Sequence, residues 1–275
     1  MLKGIGMLRV PVVLGAVVLT AAAASAQAPR FINTTVEMKP ASASLERDMQ
    51  SAGAAQRALW VGYRVSTIPI RHEWCSDSAR PTRVVLEPAR SMLVLARLEA
   101  GSLTELRTVA EQCEVDAGGM PVLLLEDVPA DASVHWLRGI ITAAGVGGHE
   151  RRLGERAMNA LAWTDGALAV DALVDVARRD ASQERRGKAL FWLAQRAGRE
   201  AVAAIAGAID SDPDTEVKKK AVFALSQLPR DQGVPMLIQV ARTHANREVR
   251  TQAMFWLGQS KDPRALSFFE EVLRR

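Results

Sequence analysis

Residues 216–227, EVKKKAVFALSQ, return at 248–259 as EVRTQAMFWLGQ, sharing Glu, Val, Ala, Phe, Leu and Gln at six of twelve positions across a step of 32 residues. The same step aligns Ala157, Ala189, Ala221 and Ala253, and four residues later Leu161, Leu193, Leu225 and Leu257. Met158, Leu190, Val222 and Met254 fall between them, so apolar residues recur at i, i+1 and i+4, the stripe of an amphipathic helix and not the alternation of a strand. Val170, Val202, Val234 and Leu266 head a second set of columns, with Leu173, Ile205, Leu237 and Phe269 three residues on. Each unit is therefore read as a helical hairpin. One hairpin cannot bury both its faces, so successive units must stack into a solenoid with a continuous core.

Turn chemistry marks the joints. Asp262-Pro263 combines an N-cap side chain with a residue whose fixed φ suits the first helical position, and Pro235 is placed in a first turn. Ser211-Asp212-Pro213-Asp214 supplies a reversal between units. The segment DASVHWLRGIITAAG at 131–145 reads as a helix capping the array, Ile141 falling one period before Leu173.

The segments RAMNALAW, KALFWLAQ, KAVFALSQ and QAMFWLGQ, with Val217-Lys218 and Val249-Arg250 at helix starts, resemble the HEAT-like repeats first associated with phycobilin lyases, over about residues 150–275. The resemblance implies an α-solenoid whose members chiefly bind other proteins, a few being enzymes. One such branch, deoxyhypusine hydroxylase, holds iron through His-Glu pairs on its repeats. The pairs in this chain are His72-Glu73, before the repeats, and His149-Glu150, whose place is taken in later units by Ala181, Pro213 and Ala245. That metal pattern is missing, and neither a metal nor a cofactor is expected.

Before the repeats the helical period fades. MLVLARLEAGSLTELRTV reads as a hairpin turning at Glu99-Ala100-Gly101-Ser102, ALWVGYRVSTI and MPVLLLEDV as two strands, and LERDMQSAGAAQRA as a short helix or a loop. The expected fold is mainly α: a HEAT-like α-solenoid of 32-residue hairpins at 131–275, led by a cap helix and preceded by a small β-rich α+β domain at 27–130. Residues 1–26 read as a signal peptide. Lys3 and Arg9 precede the apolar run VPVVLGAVVLTAAAA and the small-residue pattern Ala24-Ser25-Ala26. Export to the periplasm or medium, with no membrane insertion after cleavage, follows as an expectation.

Cys75 and Cys113 would then meet an oxidising compartment and could pair, closing a loop of 38 residues. A zinc site at His72-Glu73-Trp74-Cys75 lacks a fourth ligand. Removing Lys3 and Arg9 from 35 Lys plus Arg leaves 33 against 31 Asp plus Glu, a net charge of +2 that gives no reason to expect nucleic acid. The remaining histidines, His135, His149 and His244, are scattered, and neither a G-x-S-x-G elbow nor an H-E-x-x-H helix accompanies them. The chain is thus read as an exported protein-binding scaffold of the cell envelope, not an enzyme. The rival reading is an enzyme whose site lies where the two domains meet, using His72, Glu114 or Asp116.

A face for the partner can be named. Lys188, Phe191 and Gln195 are spaced i, i+3 and i+7, away from the Ala/Leu stripe, and recur as Lys220, Phe223, Gln227 and as Gln252, Phe255, Gln259. In the first unit the trio becomes Arg156, Asn159 and Trp163. The Phe column either packs between units or floors a groove for a protein or extended peptide, an acidic one among the candidates. Arg186, Lys218 and Arg250 form another column, read as a ladder paired with acidic side chains in neighbouring turns.

Overall fold

The computed structural model describes residues 30–70 and 89–274 apart from 146 and 197. The proposed signal segment, and Cys75 and His72 with it, lie outside the described residues.

The N-terminal part is a mixed sheet. Strands β1 (Arg30–Ile32), β2 (Val36–Pro40), β3 (Ala58–Ile70), β4 (Ala89–Glu99), β5 (Ser102–Ala110), β6 (Glu114–Asp116) and β7 (Val122–Glu126) are interrupted by helix α1 (Leu45–Ala55). The main sheet runs β2-β7-β3-β4-β5, and β1 pairs with β6 as a separate parallel ribbon. β3, β4 and β5 are antiparallel, whereas β2, β7 and β3 are parallel. The β4–β5 turn is the expected one. Glu99 faces Ser102 across it, and Ala100 and Gly101 both take positive φ, 47° and 78°. Two positive φ values match the right-handed twist of the flanking strands, which is why two-residue hairpin turns use them, although alanine bears a cost there that glycine does not. The segment left between helix and loop is α1, capped by Ser44, whose side chain accepts from Arg47 N.

Alternation on β3 separates two cores. Leu59, Val61, Tyr63 and Val65 join α1 and the helical array, while Trp60 turns to the other side with Leu93, Leu95, Val122 and Leu124. Phe31 and Val115 of the β1–β6 ribbon cover that second face.

Helices then follow in pairs: α2 (Ala130–Ala143), α3 (Gly148–Trp163), α4 (Ala167–Arg179), α5 (Gln183–Arg196), α6 (Arg199–Ser211), α7 (Thr215–Gln227), α8 (Arg230–Thr243), α9 (Arg247–Gln259) and α10 (Pro263–Leu273). The odd-numbered helices α3, α5, α7 and α9 form one layer, the even-numbered ones the other. The repeated Ala and Leu columns are buried throughout, none above 1% exposed. A column of small residues not singled out in the sequence, Ala169, Ala201, Gly233 and Ala265, lets the two layers approach. At Gly233 a Cβ would sit 2.3 Å from the Leu225 carbonyl oxygen, so no side chain fits.

Two expectations from the sequence are corrected. Pro235 lies inside α8, not in its first turn, because the helix already starts at Arg230, after Pro229. Leu266 does not continue the Val column, in which Val234 is buried and Val170 and Val202 are half-buried, but is 62% exposed, and Phe268 is buried instead.

The two parts are joined through α2 and α3. Tyr63 Oη, fully buried, accepts from Ser133 Oγ of α2 at 3.2 Å, and its ring meets Trp136 edge-on. Burial pushes the Tyr63 phenol well above its ordinary pKa, with the Ser133 bond acting in the opposite sense. Arg156 Nη1 of α3 donates to Leu106 O of β5, and Asp165 N donates to Ser66 O of β3.

Candidate functional site

The residues of the predicted face lie along the layer of α3, α5, α7 and α9. Because each unit repeats the same helical phase, its aromatic side chains come into register with those of its neighbours. Trp163 meets Trp192 at 5.8 Å between ring centroids, and Trp192 meets Phe191 at 5.2 Å. Phe191 stacks on Phe223 at 6.1 Å with planes 3° apart. Phe223 meets Trp256 at 4.9 Å, and Trp256 meets Phe255 at 5.0 Å. Six rings thus form one unbroken row across four helices. Phe191 and Phe223 are half-buried by this stacking, whereas Phe255 is 54% exposed. Trp192, which helical phase places beside Ala189, Leu190 and Leu193, is only half-buried and belongs to the row, as do the half-buried Trp163 and Trp256.

The polar members of the face differ from one another. Gln195, Gln227 and Gln259 are exposed at the C-terminal ends of their helices, and Gln252 is half-buried. Lys188 is engaged by Glu155 and, at 3.3 Å, by Glu184. Its hydrogen bond is the main reason the Glu155 carboxyl is held below the usual carboxylate range. Lys220 lays its stem across Gly187 and makes no ion pair among the described residues, so its ammonium is available. At the first unit, Arg156 is taken up by the sheet, and the row begins where the sheet ends.

The second basic column has a different role from the one its spacing implied. Lys218 Nζ donates to Ile209 O and Asp210 O at 2.9 and 2.7 Å, and Arg250 Nη1 to His244 O and Ala245 O at 2.7 and 2.8 Å. These side chains close the C-terminal ends of the preceding helices, where unpaired carbonyls and the negative end of the helix dipole favour a cation. Only Arg186 adds an acid. It is buried, donates to Asp180 O, and grips Asp212 with two bonds of 2.8 and 3.0 Å. Arg196 plays a similar capping part for α3, with Nη1 donating to Ala162 O and Thr164 O, both at 2.8 Å. Burial pulls its guanidinium below the ordinary value.

A third column closes the turns. Asp180 and Asp212 accept from the backbone N–H two residues on, at 2.8 and 2.9 Å, and in the third unit His244 does so through Nδ1 at 3.1 Å. His244 Nε2 lies 3.1 Å from Ile209 O, so the neutral ring with its proton on Nε2 satisfies both contacts. His244 is therefore a turn element.

The junction residues of the rival reading are placed elsewhere. Glu114 pairs with Arg30 at 2.9 Å, and Asp116 accepts from Asn33 and from Gly118 N. Both sit on the β1–β6 ribbon, which covers the sheet face opposite the helices, so neither lies at the junction. Alternation along β3 is the cause, because Trp60 and the ribbon share one side while Tyr63 and α2 share the other. Cys113 is buried in the turn between β5 and β6. His149 and Glu150 are exposed in the first turn of α3.

Residues 170–233 and 202–275 match a family model for HEAT repeats, and the helical array over 170–275 is a run of such repeats. Among solved structures, human deoxyhypusine hydroxylase in complex with glycerol is similar at 23% identity and a TM-score of 0.37, over 46% of this chain. This chain spans 43% of the hydroxylase's length. The complex of CpcE and CpcF of phycocyanin lyase from Nostoc is similar at 17% identity and a TM-score of 0.39, over 52% of this chain and 90% of that one. A comparison with curated proteins finds no match.

Proposed function

We propose that the protein is a scaffold that holds a protein or extended peptide against the aromatic row of α3, α5, α7 and α9, and that it is not an enzyme. The observation that carries this reading is the unbroken row of six rings, open to solvent at Phe255 and bordered by Lys220 and three exposed glutamines. Solenoids present long surfaces of this kind, and aromatic side chains dominate the energetics of protein contacts. The free ammonium of Lys220 suits an acidic side chain near the row's centre.

The reading includes export to the cell envelope, supported by Lys3, Arg9, the apolar run and Ala24-Ser25-Ala26. It also includes a disulfide between Cys75 and Cys113, supported by an oxidising destination and by the burial of Cys113. No helix among the described residues is long and apolar enough to cross a membrane.

The test is capture from an envelope extract by the wild type and by a Phe255→Ser/Lys220→Glu variant. Both positions are exposed, so the variant should melt within a few degrees of wild type. Partners retained by the wild type should be lost from the variant. Equal capture of the same proteins by both would overturn the reading.

A further inference from the structure

The repeat supplies its own template for a binding seat. A step of two units, 64 residues, lays the seam of α3, α4 and α5 over that of α7, α8 and α9: Leu161 on Leu225, Ala169 on Gly233, Leu173 on Leu237, Trp192 on Trp256 and Arg196 on Ser260. In the first seam the guanidinium of Arg196 is enclosed by the C-terminal end of α3, donating to the carbonyls of Ala162 and Thr164 and, at 3.4 Å, of Gly166. The matching carbonyls in the last seam are those of Ser226, Leu228 and Arg230, of which Arg230 O already accepts from Arg264 Nη2 at 2.9 Å. Ser260 cannot reach them, since its hydroxyl donates to Leu257 O of its own helix at 2.7 Å. A cavity of about 240 Å³ is left, lined by Ser226, Gln227, Leu228, Trp256 and Ser260 among others. The middle seam has a third solution. Leu228 stands where Arg196 stands one unit earlier, and it is an apolar side chain only 5% exposed.

The cavity adjoins the aromatic row, because Trp256 and Gln227 belong to both. Its lining is mixed: Leu225, Val234 and Leu237 offer apolar contact to an arginine stem, Ser226, Gln227 and Ser260 offer polar atoms, and Arg230 also lines it. The C-terminal end of α7 presents the negative end of a helix dipole. The Trp256 indole N–H is shut off from solvent and has no hydrogen-bond partner, so it can serve a backbone carbonyl arriving with the chain. Charges around the mouth are balanced. Arg264 is held by Asp262 and also donates to Arg230 O, while Asp231 and Asp262 stand against Arg230 and Arg264.

We propose that this cavity is a seat for an arginine side chain presented by the partner peptide, its guanidinium occupying in the last seam the place that Arg196 fills in the first. The proposal rests on the peptide-scaffold reading for the source of the arginine, but the seat can be tested without that partner.

The probe is N-acetyl-arginine methylamide, titrated into the full protein while the ¹⁵N-labelled Trp256 indole resonance, assigned through Trp256→Phe, is followed. A saturable shift is expected, weaker for the lysine counterpart and absent for the norleucine one. Two plugged variants copy the chain's own solutions: Ser260→Arg after Arg196 and Ser260→Leu after Leu228. Both should remove the response without lowering the melting temperature. No shift at Trp256, an equal shift with norleucine, or a response that survives both plugs would overturn the seat. Phe255→Ser should leave the response intact. Equal partner capture by the wild type and the Phe255→Ser/Lys220→Glu variant, with a retained arginine response, would therefore strike the aromatic-face reading alone, and capture lost from that variant with no arginine response would strike the seat alone.

Discussion

Outside the β4–β5 hairpin, strands of the N-terminal part take partners from distant parts of the chain. Val36 faces Val122, and Phe31 faces Val115, although more than eighty residues separate each pair. In the helical array contacts run between consecutive helices or one period on, and Phe191 meets Phe223 because the same side chain returns 32 residues later. The sheet thus stands or falls as a set of long-range pairings, whereas the array approximates a one-dimensional stack in which each unit feels mainly its neighbours. The two regions still share a core, since Tyr63 and Val65 pack in the cluster that contains Leu137 and Leu161.

The largest expected break in this comparison is Asp212→Ala. It strips the buried Arg186 of its bidentate partner, at a cost of about 3–5 kcal/mol in urea denaturation. If the array behaves as a stack, hydrogen exchange should accelerate in α5–α8 well before β3 and β4. Uniform acceleration would mean that the shared core makes both regions one cooperative unit. Gly233→Ala comes next, with a cost of about 1–3 kcal/mol, because the added methyl meets a backbone carbonyl that cannot swing aside. Its effect should be confined to α7–α9. The smallest effect lies in the sheet and has the opposite sign. Ala100→Gly removes a left-handed alanine from the β4–β5 turn and should stabilise by roughly 1 kcal/mol, read as a higher urea midpoint. A loss there would show that the turn is held by more than its backbone preference.

Legibility followed the same division. The Ala and Leu columns, the hairpin turn at Ala100-Gly101 and the cap at Asp262 could be read directly, because local periodicity and turn chemistry determine them. The strands β1, β2 and β6 could not, being three to five residues long with partners far away in the chain. Within the face, the positions of Lys188, Phe191 and Gln195 and their successors followed from helical phase. That Lys188 is engaged while Lys220 is available depends on Glu155 and Glu184, which reach it across and along the array.

By itself the sequence determined a stack of 32-residue helical hairpins, because a repeated apolar stripe leaves its helices no other way to cover their faces. Only the tertiary structure decided that the basic column caps helix ends instead of forming an acid–base ladder, that Glu114 and Asp116 lie away from the junction, and that one seam is left open at Ser260. Those outcomes depend on which side of a strand or seam a side chain occupies and how far it reaches, and the period carries no information about either.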